Sequence, residues 1–288
     1  MGEAASRARV AVTGSTGHLG RLVARLLADD GVPQRLLVRS PERAPDLPGA
    51  EVFQAAYGDR DAVARALDGV EVVLFVSATE SADRTDQHER FTEAAVRAGV
   101  RHVVYTSFQG AAPDASFTLA RDHAATEEIL RLSGMAWTFL RDCLYLDVLP
   151  AWIGDDGVLR GPAGDGAVAA VARADVARSA AAVLTDVLAD PGTHGGRAYE
   201  LTGREAITLD DVARTVHEVT GRPARYHAET LREAYASRAV YGAPRWQVDA
   251  WVSTYTAIAE GALRHVSGDV ERLTGREPMT LRDVLQAT

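Results

Sequence analysis

Thr13-Gly14-Ser15-Thr16-Gly17-His18-Leu19-Gly20 stands between a short apolar run, Arg9 to Val12, and a segment of helical spacing, His18 to Leu27. Strand, glycine turn and helix in that order form an entrance suited to phosphate. Gly14 permits the tight turn, Gly17 lets backbone approach a pyrophosphate, and Gly20 lets the helix pack close to the strand. The helix N-terminus then offers free N–H groups and the positive end of its dipole. The turn predicts dinucleotide contacts from Gly14, Thr16, Gly17, His18, Leu19 and Gly20. A glycine-rich turn with no ligand is the alternative.

Working outward, strand-like and helical patterns alternate. Leu36 to Val38 and Glu51 to Gln54 read as strands, and a helix follows near Asp61 to Leu67. Val70 to Val76, apolar but for Glu71 and rich in β-branched residues, reads as a strand buried on both faces. A helix over Asp86 to Ala98 stops at Gly99. His102 to Tyr105 is a fifth strand, Asp122 to Leu132 a helix closed by Gly134, and Ala136 to Leu140 a sixth strand. Such alternation predicts the α/β class: a doubly wound, Rossmann-type parallel sheet with a smaller, mainly helical C-terminal substrate lobe. Residues 1–150 are expected to form the dinucleotide-binding domain, with a returning segment about 167–202 that carries a helix over Ala174 to Leu188 and a strand over Ala198 to Leu201. Residues 151–166 and 203–288 are expected to form the lobe. Within it, Gly154 to Gly166 reads as loop or hairpin and Trp246 as core. Thr202 to Val212 is echoed by Thr274 to Val284. Each copy carries a glycine turn, then a Thr helix cap with Asp three residues on, a capping-box variant with no functional meaning.

The chain has 288 residues, net charge −9, and no lysine: all 31 basic residues are arginine. That excludes Schiff-base chemistry, a P-loop lysine and the Tyr-x-x-x-Lys pair of ordinary short-chain dehydrogenases. The acidic balance and the lack of basic runs interleaved with aromatics argue against nucleic acid as a partner. No apolar stretch approaches the roughly 18–20 residues of a membrane helix, and no signal-peptide core is present. Met1 to Ser6 fits a loose myristoylation pattern, but a flexible polar leader is the simpler reading. The single Cys143 cannot form an internal disulfide, so a reducing cytoplasm is expected. The scattered histidines predict no metal site, and no Gly-x-Ser-x-Gly elbow is present.

The second strand ends in Val38-Arg39-Ser40-Pro41-Glu42-Arg43. An NAD site would place an acid there for the ribose 2′-hydroxyl; Arg39 suits a 2′-phosphate instead, with Ser40 and Arg43 as further contacts. NADP(H) is therefore the expected cofactor. The alternative for Arg39 is a solvated loop residue. Asp59 is placed near the adenine or as the cap of the helix that follows. Ser77 and Ala78 end the fourth strand, where small residues let backbone run beside the cofactor.

These residues together resemble an atypical short-chain dehydrogenase/reductase of the NmrA-like family, closest to its NADPH-dependent quinone oxidoreductase and triphenylmethane reductase group. The resemblance spans nearly the whole chain. Its markers are TGSTGHLG (13–20), LLVRSPER (36–43), AAYGD (55–59), VVYTSF (103–108), HAATEEILRLSG (123–134), WTFLRDCLY (137–145), GPAGDG (161–166) and ARADVA (172–177). It implies a monomeric or homodimeric NADPH reductase or, in some members, a nucleotide sensor without turnover. The asparagine that members carry a few residues after the aromatic of the LR-x-x-x-Y segment falls here at Val148.

Hydride transfer needs the cofactor held close to an electrophilic carbon where water is excluded, plus a donor for the developing oxyanion. Three residues are candidates. Ser107 ends the fifth strand, at the sheet edge where such folds bind ligands; local backbone bonding is its alternative. His123 stands where relatives carry lysine, with Glu127 one helical turn on to orient it; a helix-surface histidine is the alternative. Leu119, not tyrosine, precedes His123 by four, which argues against ordinary alcohol-dehydrogenase chemistry. Tyr145 points, by the resemblance, toward the substrate pocket; packing against the lobe is its alternative. Phe108, Trp152 and Tyr241 are the candidate substrate contacts, or ordinary core. The chain then reads as an NADPH-dependent reductase of a quinone-like or other conjugated small-molecule acceptor. A redox sensor and a biosynthetic tailoring reductase are the alternatives.

Overall fold

The computed structural model describes residues 8–287. In chain order the elements are β1 (Val10–Thr13), α1 (His18–Asp29), β2 (Gln34–Val38), β3 (Ala50–Gln54), α2 (Arg60–Leu67), β4 (Val72–Phe75), α3 (Arg84–Arg97), β5 (His102–Phe108), α4 (Thr118–Leu132) and β6 (Ala136–Asp142). There follow β7 (Val158–Gly161), β8 (Ala167–Val168), α5 (Arg173–Ala189), β9 (Arg197–Leu201), β10 (Ile207–Thr208), α6 (Leu209–Thr220), β11 (Arg225–Ala228), α7 (Leu231–Arg238), α8 (Arg245–Ala259), α9 (Asp269–Thr274) and α10 (Leu281–Gln286). Met1 to Ser6, with its lipidation-like pattern, lies outside the described residues.

A seven-stranded sheet runs in the order β3-β2-β1-β4-β5-β6-β9. Its strands from β3 to β5 pair in parallel, with Val10 opposite both Gln34 and Val72. The order reverses direction at β1 and β4, the switch point at which doubly wound sheets bind ligands. β4 and β5 are buried at every position, which explains the apolar run of β4 and the Val103–Tyr105 centre of β5. α1 buries Leu19, Val23, Ala24 and Leu27, one helical face. The core gathers around Phe75, whose ring stacks on Phe91 at 4.1 Å and lies 5.3 Å from Tyr105.

The chain divides into two compact units. The first comprises Met1–Ser107, Ala124–Leu140 and Val176–Tyr199; the second comprises Phe108–His123, Arg141–Asp175 and Glu200–Thr288. Segments 108–123 and 141–150, expected with the sheet, thus group with the second unit. Two bonds of Gln109 fit that grouping: its backbone N–H donates to Asp142 O at 2.7 Å and its side-chain Nε2 to His265 O at 2.8 Å.

The second unit holds two small sheets that sequence patterning does not show. β7 pairs in parallel with β11, and β8 antiparallel with β10. At the start of the stretch 154–166 a tight turn sets Ile153 against Leu159 in an antiparallel bridge, while β7 itself finds its strand partner about seventy residues downstream. Tyr226 fastens that pairing, its hydroxyl donating to Gly161 O at 2.8 Å and accepting from Ala163 N–H at 3.1 Å. Both echoed turns form full capping boxes, Thr208 with Asp211 and Thr280 with Asp283. Trp246 is 38% exposed, so it is not core; α7 and α8 join through Ala234, Val248 and Val252, with Trp251 against them. Among the described residues no helix is long and apolar enough to cross a membrane.

Candidate functional site

The first unit opens a cleft of about 400 Å³ where β1, β2 and β4 end. Gly14, Thr16, Gly17, Arg39, Ser77 and Ala78 line it. Gly14 takes φ +65°, a left-handed conformation that favours glycine, and a Cβ there would press on Val76 Cβ at 3.0 Å. The Gly17 amide closes the turn on Gly14 O at 2.9 Å. A Cβ on Gly20 would fall 2.5 Å from the Gly14 carbonyl, so only glycine lets α1 lie this close to the turn. Gly20 and Leu19 are buried and His18 is the exposed first residue of α1. These three, expected as contacts, are not among the cleft lining; Leu19 and Gly20 hold the turn by packing.

Between the two lining glycines, Ser15 is fully buried and its hydroxyl has no partner within the protein. A buried, unpaired hydroxyl costs about 1–3 kcal/mol unless a ligand satisfies it. A phosphate oxygen at a glycine turn and helix N-terminus is such a ligand. The residues present therefore fit a dinucleotide.

The cleft's floor contains a residue the sequence reading passed over. Tyr57 places its hydroxyl 2.6 Å from Thr13 Oγ1 and 2.7 Å from Val76 O, and Val76 N–H donates to the same threonine oxygen at 2.9 Å. This triangle ties the ends of β1 and β4 together directly below the turn. Burial pushes the Tyr57 phenol up, so it stays protonated. Its signal in the sequence is the aromatic residue of the AAYGD motif, two positions before Asp59. Asp59 accepts from Ala62 N–H at 2.9 Å and caps α2. The cap is thus the role the structure shows; Ala55 and Tyr57, not Asp59, face the cleft.

Arg39 is exposed at the rim, with Gln54 Nε2 donating to its carbonyl at 3.2 Å. Ser40 and Arg43 are outside the lining; the Arg43 carbonyl accepts from Arg21 Nη2 at 3.1 Å. On the opposite wall, Ser77 N–H donates to Thr106 Oγ1 and Ala78 N–H to His88 Nε2, both at 2.9 Å. Because Nε2 accepts, the His88 proton sits on Nδ1 and is shared with Thr126 Oγ1 at 2.8 Å. Burial, with a smaller contribution from Arg84, pushes His88 down to about 3, so it stays neutral. Arg84, itself buried, donates to Ser77 Oγ.

The candidate chemical groups fall in different units. In the first, Ser107 is fully buried and donates to Glu127 Oε1 at 2.6 Å; the same carboxylate takes Arg131 Nη2 at 2.7 Å. In the second, His123 is buried with its ring centroid 5.9 Å from that of Phe108, which packs on Phe117. Tyr145 donates to the Asp142 carboxylate, and the Arg173 guanidinium lies 4.9 Å above its ring. Desolvation, then the Asp142 charge, raise the Tyr145 phenol well above its ordinary value. Trp152 and Tyr241 line a separate cavity of about 680 Å³ within the second unit.

Residues 14–187, more than half of the chain, match the family model described as NAD(P)H-binding. The (4-alkanoyl-5-oxo-2,5-dihydrofuran-3-yl)methyl phosphate reductase of Streptomyces griseus is 40% identical over 95% of both chains. The crystal structure of the NADPH-dependent quinone oxidoreductase of Escherichia coli complexed with NADPH superposes with TM-score 0.85, at 33% identity, over 96% of this chain and 99% of that one. The Citrobacter sp. triphenylmethane reductase complexed with NADP(H) gives 0.84 at 30% identity, over 96% and 99%. With its glycine turn, switch-point cleft and lysine-free sequence, the chain belongs to the NAD(P)H-binding family, as an oxidoreductase of the NmrA-like branch of atypical short-chain dehydrogenases.

Proposed function

We propose that the protein is an NADPH-dependent reductase of a quinone-like or other conjugated small molecule. The observation that carries this is the first unit's cleft, where the unpartnered Ser15 hydroxyl and the glycine turn meet the rim arginine Arg39. The dinucleotide, when bound, supplies the hydride. Everything else is work for the chain. The Gly14–Gly17 turn and the α1 N-terminus hold the pyrophosphate, Arg39 pairs with the 2′-phosphate, and the Thr13–Tyr57–Val76 triangle keeps the floor rigid. Substrate binding belongs, on this reading, to the second unit, through Phe108, Trp152 and Tyr241.

Ser107, His123 and Tyr145 are the polar groups we assign to the reduction, with different duties. The Ser107 proton is directed at Glu127, so its oxygen presents lone pairs and orients a donor, such as a carboxamide. Tyr145 spends its single O–H on Asp142 and stays neutral, so toward a substrate it offers its ring and an accepting oxygen. Histidine is the residue type of the three suited to exchanging a proton near neutral pH, and that is the role given to His123. A monomer or homodimer in the cytoplasm completes the proposal, in keeping with the single free, buried Cys143.

A second reading, a tailoring reductase with a larger substrate, is favoured by the 40% identity to the Streptomyces reductase, whose named substrate carries a conjugated ring alkene. NADPH oxidation against quinones, azo dyes and enones tests both. Turnover of one class is expected, with His123→Ala lowering kcat by about tenfold or more, within the range for a lost acid. Tight NADPH binding without turnover of any acceptor would remove the reductase reading in favour of a sensor.

A further inference from the structure

The second unit's cavity is lined by the rings of Trp152, Tyr241, Trp251 and Tyr255 and by two charged side chains, Arg160 and Arg238. The rings stand in two pairs: Trp152 and Tyr255 at 5.2 Å, tilted by 49°, and Tyr241 and Trp251 at 5.8 Å, edge to face. About 680 Å³ is the size of a site for a small organic ligand. Each arginine is closed by a carboxylate. Arg160 Nη2 meets Asp156 Oδ2 at 2.6 Å and its Nη1 meets Oδ1 at 3.1 Å. Arg238 Nη1 meets Glu229 Oε2 at 2.9 Å, in a pair with both side chains buried. The Arg238 guanidinium also donates to Ala234 O and Ser237 Oγ and lies 5.0 Å over the Tyr255 ring. Its donors are therefore largely used, and it is held as a flat lid on an aromatic face.

We infer that the ion pairs Arg160–Asp156 and Arg238–Glu229 determine specificity in this cavity. They make it take flat aromatic or quinonoid ligands of no net charge and turn away ligands bearing phosphate or sulfonate. The cavity walls offer π-faces for stacking and no uncompensated cation. An anionic ligand would have to share a guanidinium with a carboxylate already on it, and like charges so placed repel. This deepens the first reductase reading, on which it rests for the identity of the ligand as an electron acceptor, and it stands against the tailoring reading, whose supporting relative acts on a phosphate ester.

Trp152 and Trp251 report binding without any turnover, because a quinone stacked on them quenches their fluorescence. The full chain is titrated, without cofactor, with naphthoquinone and with a sulfonated naphthoquinone. Naphthoquinone is expected to bind about tenfold tighter or better, the size of one unfavourable charge contact. Trp152→Phe should remove much of the quench, placing the ligand in this cavity. Asp156→Asn, an exposed change that leaves the buried pair intact, should narrow the preference about threefold to tenfold by freeing Arg160. Glu229→Gln should narrow it further. Equal affinity of the wild type for the two quinones would overturn the inference, as would a preference unmoved in Asp156→Asn. Charge-selective quenching with no NADPH oxidation would support the assignment of the cavity and count against the reductase reading alone.

Discussion

Arg39 sits at the cleft rim with its guanidinium in solvent and only its carbonyl held, by Gln54. An exposed arginine gains most from a dianionic partner that binds it in two places. Arg39→Ala is therefore expected to weaken NADPH by about 1–3 kcal/mol, roughly fivefold to more than a hundredfold, and NADH by much less. Isothermal titration of both nucleotides reads this, and an equal loss for the two would remove Arg39 from 2′-phosphate recognition. Ser107 teaches a complementary lesson. From its place at the end of β5 it was expected to donate to a substrate; its neighbour on α4 has already taken the proton.

At the level of elements, the repeated turn provides an internal control. Thr208 accepts from Asp211 N–H and Thr280 from Asp283 N–H, each with the aspartate reaching back to the threonine N–H. Thr208→Ala and Thr280→Ala are each expected to cost about 1 kcal/mol. Thermal or denaturant unfolding measures this; because α6 packs on α10 and Glu218 takes both Arg214 and Arg282, the double variant is expected to depart from the sum of the two losses. These caps were legible in the sequence because the motif is local, as were β1 to β6 with their helices, whose burial repeats at short intervals. β7 and β11 were not legible: four-residue strands, paired across sixty residues of chain, leave no periodic trace in either segment. The same limit applied to the cleft. Its glycines announce themselves, whereas Tyr57 acts through Thr13 and Val76, and no local pattern joins three such distant positions.

For the molecule as a whole, two buried histidines set the response to acid. His88, pushed down to about 3, and His102, pushed down to about 4 by burial and by His194, are neutral in the folded state. Unfolded histidine protonates at the ordinary value of 6.5, so below that pH the unfolded chain binds more protons and stability falls with pH. The loss approaches about 1.4 kcal/mol per pH unit for each histidine and levels off only below the folded values. Glu71, held at about 2 by Arg9 and Arg101, adds its loss as the pH falls from its ordinary 4.5 toward 2. The melting temperature is thus expected to decline steadily as pH drops from 6.5 toward 4, and a flat profile there would contradict the neutral, buried state of both rings.

The strand order also governs how the polypeptide can be made and cut. β9 completes the seven-stranded sheet, yet β7 and β8 of the second unit emerge from the ribosome before it, and β10 and β11 after. Each unit is built from three separate stretches of chain, so neither is finished when its first stretch is released. A nascent chain of 150 residues carries β6 with a bare edge and lacks the Gly196 amide that bonds Trp137 O at 2.8 Å. Gene truncation at any single point therefore yields no intact half, and the exposed strand edges of such a fragment would favour aggregation over folding.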